Sequence, residues 1–387
     1  MSSQSKQQLQ EAICENVYRL TLLHFSSRIS KLPPQISVHT LLKTFLATSD
    51  KTEADSQTVR FKRASSDDYY DDIEKSEKSA TTRAPPAAPV NGSAKTWQEG
   101  NRKITFTPQD ITHFFNVDRL RHMMIELTLL DASATRDDFT VGMSGQVSSN
   151  KISGVSPYKV PFPFRVPQNN QRRMAEIVLS EYSINSLLYF AHRTNSLLFH
   201  VDSRSPGVGT LLKTTCSVDE VCLSDQVEEI GNEFPGRSLE LIIRSTNAPV
   251  MVLRKDSLKL NMEGRCLFFL EGTRQKVGVI PFATEVEVWL QTVGAHLKGR
   301  LSITKLNFTN GIEFFRLTAD DLEGLRKTTR MALENMANSI LDNGIPLSAP
   351  SASAPLRLSA IHVSVLPSVV LLQANVDLYS SFYNHSS

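Results

Sequence analysis

The sequence predicts an α+β fold, a large, curved antiparallel sheet that carries two amphipathic helices. Three observations lead there. Beyond Lys103, short runs such as Thr284–Leu290 and Leu301–Leu306 put every second residue on one face, as a half-buried strand requires, and strands with a solvated face are usually antiparallel. Two segments, 180–194 and 318–342, change to the period of a helix. Of the 387 residues 40% are hydrophobic and 21% charged, the mix of a folded chain and not of a collagen-like, coiled-coil or disulfide-dense one.

In chain order, residues 5–32 read as one long helix. Leu9, Ile13, Val17 and Leu20 recur at helical spacing beside a second stripe of Cys14, Tyr18, Phe25, Ile29 and Leu32, and Pro33-Pro34 ends the run. So long and apolar a helix is marginal alone and needs a packing partner. Residues 49–104 are polar, charged and rich in Pro, Ala and Ser; they lack the apolar side chains to offset conformational entropy and read as a disordered linker. Within it Arg60-Phe61-Lys62-Arg63 has the Arg-x-Lys-Arg pattern of a convertase site, and acidic residues surround Tyr69 and Tyr70 as a tyrosine-sulfation site would. Each also fits a solvated charge run. Length at about 150 residues per domain allows two to three domains, read here as 1–48, 49–104 and 105–387.

The third segment supplies the strands: Met124–Leu130, 138–147, 239–245, Ser257–Met262, Thr284–Leu290, Leu301–Leu306 and 362–366. The first helix opens near Ser180-Glu181 and carries Ile184, Leu187, Leu188 and Ala191 on one face. The second begins with a capping signal, Thr318 followed by Asp321, and stops at Asn343-Gly344 with Pro346 beyond. Its apolar stripe is Leu322, Leu325, Ala332, Leu333, Met336 and Ile340.

Several function classes find no support. With 42 Lys+Arg against 40 Asp+Glu the net charge of +2 provides no global field for nucleic acid. No run approaches the roughly 18 consecutive apolar residues of a membrane span. Gly142-Met143-Ser144-Gly145-Gln146 fails the nucleophile-elbow pattern at its last position, and no His-Glu-x-x-His occurs among nine scattered histidines. Gly207-Val208-Gly209 before Lys213-Thr214 lacks the glycine that a phosphate loop places before its lysine and reads as a turn. The four cysteines, Cys14, Cys216, Cys222 and Cys266, match no zinc knuckle. Cys216 and Cys222 are close enough for a local disulfide or for two free, half-buried thiols. Neither a metal nor an organic cofactor is implied. The residues MSSQSKQQLQ at the start lack the features of a secretory signal, so the literal reading is cytosolic.

The succession of elements resembles the family of bactericidal/permeability-increasing protein, lipopolysaccharide-binding protein and the lipid transfer proteins. SEYSINSLLYFAHRTNSLLFHV (180–201) is similar to the Ser-(Asp/Glu)-Tyr, helix, strand segment of the second barrel in that family. PYKVPFPFRVP (Pro157–Pro167) resembles the central proline-rich stretch, and GIPLSAP (Gly344–Pro350) with the run that follows it resembles the last turn and closing strand. QEAICENVYRLTLLHFSSRISKLP resembles the long helix that ends the first barrel, with Cys14-Glu15 at its cysteine position. The likeness covers about 5–45 and 105–387. It implies an elongated, strongly twisted antiparallel sheet wrapped around two amphipathic helices as one lipid-binding barrel, preceded by a long remnant helix. On that likeness most of the first barrel and the signal peptide would be missing, as in a truncated isoform, a partial gene model or an internal start.

What the resemblance implies for function is non-catalytic binding, or transfer, of phospholipid-like or lipopolysaccharide-like amphiphiles in an apolar groove, in innate defence or lipid transport. Such a groove needs apolar length more than polar groups, since each buried methylene contributes roughly 0.8 kcal/mol. The implied walls are Ile184, Leu187, Leu188 and Ala191; Val286, Val288 and Leu290; and Leu322, Leu325, Ala332, Leu333, Met336 and Ile340. From periodicity alone the same stripes are ordinary core. The partners implied are a lipid amphiphile and, transiently, a membrane or lipoprotein surface, with no nucleic acid. An extracellular parent protein would make use of the glycosylation acceptors Asn91, Asn307 and Asn384. The alternative is a non-lipid interaction protein that recruits its partner through the acidic, Tyr-rich linker.

Overall fold

The computed structural model describes residues 7–8, 11–12, 15, 33–48, 110–134, 138–161, 173–206, 208–217, 220–273, 275–309, 315, 317–347 and 357–377. The chain divides into two compact units, residues 1–50 with 105–387 and residues 51–104, and the described residues all belong to the first. The predicted 5–32 helix is seen only at residues 7–8, 11–12 and 15, which are helical; the rest of it, Cys14, the linker with Arg60, Lys62, Arg63 and Asn91, and Asn384 lie outside the described residues.

The elements run β1 (Gln35–Ser37), α1 (Val38–Thr48), β2 (Met123–Glu126), β3 (Leu129–Ala134), β4 (Phe139–Met143), β5 (Val147–Ser149), β6 (Ala175–Ser180), α2 (Glu181–Arg193), β7 (Leu198–Val201), β8 (Leu239–Ser245), β9 (Val250–Arg254), β10 (Ser257–Leu270), β11 (Lys276–Val293), β12 (His296–Phe308), α3 (Ala319–Asn343), β13 (Ile345–Pro346), β14 (Arg357–Leu366) and β15 (Val369–Asp377). The fold is α+β, and its main sheet is antiparallel and strongly curled, a half barrel in the order β13-β12-β11-β10-β8-β7 with β9 also on β10. Three smaller sheets accompany it, β1-β2-β5, β14-β15-β6 and β3-β4, where the sequence suggested one sheet. The strand expected across Met124–Leu130 breaks at Leu127–Thr128, where the Leu127 amide donates to Pro34 O at 2.7 Å and Thr128 O accepts from Ser144 N at 2.9 Å. The residues after Pro34 make only the short strand β1 before turning helical.

Helix α3 begins as its sequence signal requires. The Thr318 hydroxyl accepts from the Asp321 amide at 3.2 Å while the Asp321 carboxylate accepts from the Thr318 amide at 2.7 Å. It ends at Gly344, whose φ of +83° is one that side-chain-bearing residues rarely adopt. Helix α2 ends at Arg193 with Thr194 as its cap, and Asn195 just beyond also has a positive φ.

Two cores hold the unit together. The larger packs Ile280, Phe282, Cys266, Phe268 and Leu270 of the main sheet against Val227, Ile230, Leu317 and Leu325. The second joins Phe190 and Ala191 of α2 to Val38, Leu120, Met123 and Val147, which ties α1 and the β1-β2-β5 sheet to α2. His39 reinforces that junction through a 2.7 Å contact with Asp118, whose carboxyl is held below its usual range by His39 and then Lys43.

Candidate functional site

The three longest strands, β10, β11 and β12, share one apolar face. On β11 the even-numbered residues from Ile280 to Leu290 lie on it. The β12 run LSITKLNF does not alternate strictly: Leu301 and Ile303 are odd, Leu306 and Phe308 even. A bulge between Glu285 and Val286, where Glu285 pairs with Lys305 and Val286 with Ile303, absorbs the extra residue and keeps all four apolar side chains on the same side. The simple alternation expected over Leu301–Leu306 is corrected here.

Register then lines up two rows of four apolar residues across β9, β10, β11 and β12. One row is Met251, Leu260, Val286 and Ile303; the other is Leu253, Leu258, Val288 and Leu301. With strands about 4.8 Å apart, each row spans roughly 14 Å. Leu253 and Ile303 at the margins are buried, while Met251, Leu258, Leu260, Val286, Val288 and Leu301 are only half-buried. Farther along the same face, Cys266, Phe268, Leu270, Ile280 and Phe282 are closed into the main core. Burial leaves the Cys266 thiol with its pKa raised to about 12, so it is inert at neutral pH. The apolar face thus passes from closed core to partly open wall. Leu290 continues the wall and lies over Gly299, where a Cβ would come within 2.8 Å of the Leu290 side chain. Beyond it, Thr292 Oγ1 accepts from Val363 N at 2.8 Å and donates to Val363 O at 3.2 Å, which brings β14 across the end of β11.

Both margins of this wall are sealed by the same pair of side chains. On α2, Glu181 accepts from Leu253 N at 2.7 Å, and Asn185, one turn on, accepts from Met251 N at 2.7 Å and donates to Met251 O at 2.8 Å. On α3, Glu334 accepts from Ile303 N at 2.6 Å, and Asn338 accepts from Leu301 N at 2.7 Å and donates to Leu301 O at 3.0 Å. The spacings match because four helical residues rise about 6 Å and two strand residues about 6.8 Å. Edge amides of β9 and β12 that would otherwise stand open are thereby satisfied. Sequence reasoning missed both pairs; a Glu-x-x-x-Asn on each of the two amphipathic helices, E181 to N185 and E334 to N338, was the available signal.

The expected wall residues separate into groups. Val286, Val288 and Leu290 stand in or beside the rows. Leu325 is buried and, with Leu322 and Ala332, packs on the main core. Leu333, Met336 and Ile340 are half-buried on the side of α3 turned away from Glu334 and Asn338, given about 100° per residue. On α2 the expected face is divided. Leu187 and Ala191 pack into the second core, Ile184 and Leu188 are half-buried, and the residues α2 buries most deeply are Tyr182, Asn185, Ser186, Phe190 and Ala191. Polar Asn185 and Ser186 face inward because each finds backbone partners, Ser186 Oγ accepting from Val147 N at 3.1 Å.

Residues 121–378 match the family model described as "LBP / BPI / CETP family, C-terminal domain". The chain belongs to the LBP/BPI/CETP family. Among solved structures, this LBP/BPI/CETP-family chain is similar to one titled "Crystal structure of lipopolysaccharide binding protein", at 18% identity and a TM-score of 0.36, over 67% of this chain and 58% of that one. The chain therefore spans little more than half the length of that relative. No curated protein matches it.

Cys216 and Cys222, left open by the sequence, form a disulfide. Asp225 lies beside them, but sulfurs joined to each other are not thiolate ligands. Of the run that superficially resembled a phosphate site, Gly207 lies outside the described residues, and Val208 leads into a short helix at Gly209–Leu212. His192 and His200 are engaged by Ser245 at 2.8 Å and Glu240 at 3.4 Å. Ser144 of the near-miss elbow donates to Glu126 O at 2.9 Å. Asn307 is exposed on the outer face of β12. No described helix is long and apolar enough to cross a membrane.

Proposed function

We propose that this chain binds an amphiphile of the phospholipid or lipopolysaccharide kind without chemistry, laying its acyl chains along the two apolar rows of β9–β12. The observation that carries this reading is the half-burial of six of those eight side chains between two hydrogen-bonded margins. An ordinary core strand would be closed over, as the same face is at Phe268 and Ile280. Because Glu334 and Asn338 hold α3 by its polar side, Leu333, Met336 and Ile340 are not used up against β12 and add a second apolar surface, with methionine suited to variable chains. Membership of a lipid-binding family supports the same partner class. The disulfide supports an oxidising compartment, and hence the extracellular placement of the parent protein. Family membership also supports defence or lipid transport as the setting.

The test is organic extraction of the protein purified from cells, followed by mass spectrometry of the extract. Phospholipid in roughly one-to-one amount is the expected result; lipid-free protein that also fails to take up a fluorescent acyl probe would overturn the proposal. The acidic linker alternative concerns residues outside the described ones, and no structural observation favours it.

A further inference from the structure

The opposite face of the same four strands has different chemistry. One row beyond Leu253–Leu258–Val288–Leu301, register aligns Arg254, Ser257, Trp289 and Arg300, and alternation turns these side chains outward. Trp289 is 40% exposed and Val293, on the same side of β11, 46%. Arg254, Lys255 and Arg300 are exposed and Lys298 is half-buried. Farther inward on this face the cations are neutralised, since Lys259 and Lys305 both bind Glu285, at 2.5 and 2.7 Å. Among the described residues, Arg254, Lys255, Lys298 and Arg300 have no such carboxylate. The acidic groups nearest in sequence and register are Asp256, in the turn, and Glu287, which accepts from the Ser257 hydroxyl at 3.0 Å.

An exposed indole and an exposed valine among unpaired cations suit one kind of surface. Indole rings favour the headgroup layer of a bilayer, and basic side chains are drawn to anionic lipid. A soluble polyanion would engage the cations but would leave Val293 with nothing to gain. We propose that this outer row docks the protein on an anionic phospholipid surface, with Trp289 and Val293 entering the headgroup layer and Arg254, Lys255, Lys298 and Arg300 meeting lipid phosphates. The inference builds on the reading of the opposite face as the lipid wall, because docking here would bring that wall to the bilayer from which its lipid comes.

The test uses the full chain with Trp97→Phe, which leaves Trp289 as the sole indole, and vesicles of phosphatidylcholine alone or mixed with phosphatidylserine. Co-sedimentation with the mixed vesicles and a blue shift of Trp289 emission are expected. Raising salt to about 0.5 M should remove most of the binding, since charges are then screened beyond a few Å. In the otherwise unaltered chain Trp289→Ala should weaken partitioning about tenfold, and Lys298→Glu with Arg300→Glu at least about 25-fold. All these variants should retain acyl-probe uptake, which separates failure of docking from failure of the wall. Equal binding to both vesicle types, an unshifted Trp289 emission, or equal binding by Trp289→Ala would each overturn the proposal. So would salt-sensitive capture of a single-stranded oligonucleotide as tight as that of vesicles. A concentration-dependent dimer abolished by Trp289→Ala, without vesicle binding, would assign the row to a second copy of the chain.

Discussion

Asn185 and Met251 satisfy each other twice, side-chain oxygen to backbone amide at 2.7 Å and side-chain nitrogen to backbone carbonyl at 2.8 Å, with Asn185 4% exposed. The amide group stands in for a neighbouring strand at an edge where no described strand pairs. Asn338 does the same for Leu301 at the other margin, half-exposed. A helix docked this way closes a sheet edge through its polar groups, and on α3 it leaves Leu333, Met336 and Ile340 half-buried.

The two margins should differ in energy. Asn185→Ala removes a deeply buried side chain and leaves the Met251 amide and carbonyl without partners, at an expected cost of about 3 kcal/mol, whereas water replaces the half-exposed Asn338 in Asn338→Ala at about 1 kcal/mol. Urea midpoints read the difference, and hydrogen exchange at Leu301 should accelerate in Asn338→Ala while exchange at Met251 does not.

Val288→Asp places a carboxylate in the middle of the wall, where an acyl chain would have to desolvate it. Lipid recovered by extraction should fall at least about tenfold, a loss of roughly 1.4 kcal/mol in affinity, with the circular dichroism spectrum unchanged. Undiminished lipid in a folded Val288→Asp protein would move the binding site elsewhere.

The Cys216–Cys222 bridge closes a short loop, so Cys216→Ser with Cys222→Ser should lower stability by about 2 kcal/mol. Thermal unfolding of the native chain should shift by the same amount when a reductant is added, and the double variant should show no response.

Asp202 gives the protein an acid sensitivity with a definite sign. Burial pushes its carboxyl pKa up, but the Arg204 hydrogen bond and charge outweigh that and hold it below the usual range. Its contribution is therefore fully present above the unfolded carboxylate value of about 3.9 and is lost as pH falls through the lower folded value. Asp202→Asn should cost about 1 to 2 kcal/mol at neutral pH and flatten the decline in urea midpoint below about pH 4.

Much of this molecule is written in local chemistry. The reciprocal Thr318 and Asp321 bonds, the left-handed Gly344 and the stripe between them span short stretches of chain, so a helix of the right length follows from neighbours alone. The alternation in Thr284–Leu290 likewise marks Val286, Val288 and Leu290 as one face. Even the β12 bulge left a trace, in the change of parity between Ile303 and Leu306. The α2 stripe was a different matter, because periodicity assigns Leu187 and Ala191 to a face but cannot say what that face meets, and here it meets Val38 and Met123. The rows Met251–Leu260–Val286–Ile303 and Leu253–Leu258–Val288–Leu301 depend on register between strands far apart in the chain, and so do the Glu-x-x-x-Asn pairs that seal them. Those pairings are chosen by the summed hydrogen bonding and burial of the whole sheet, a quantity no single segment carries, and only folding brings it into being.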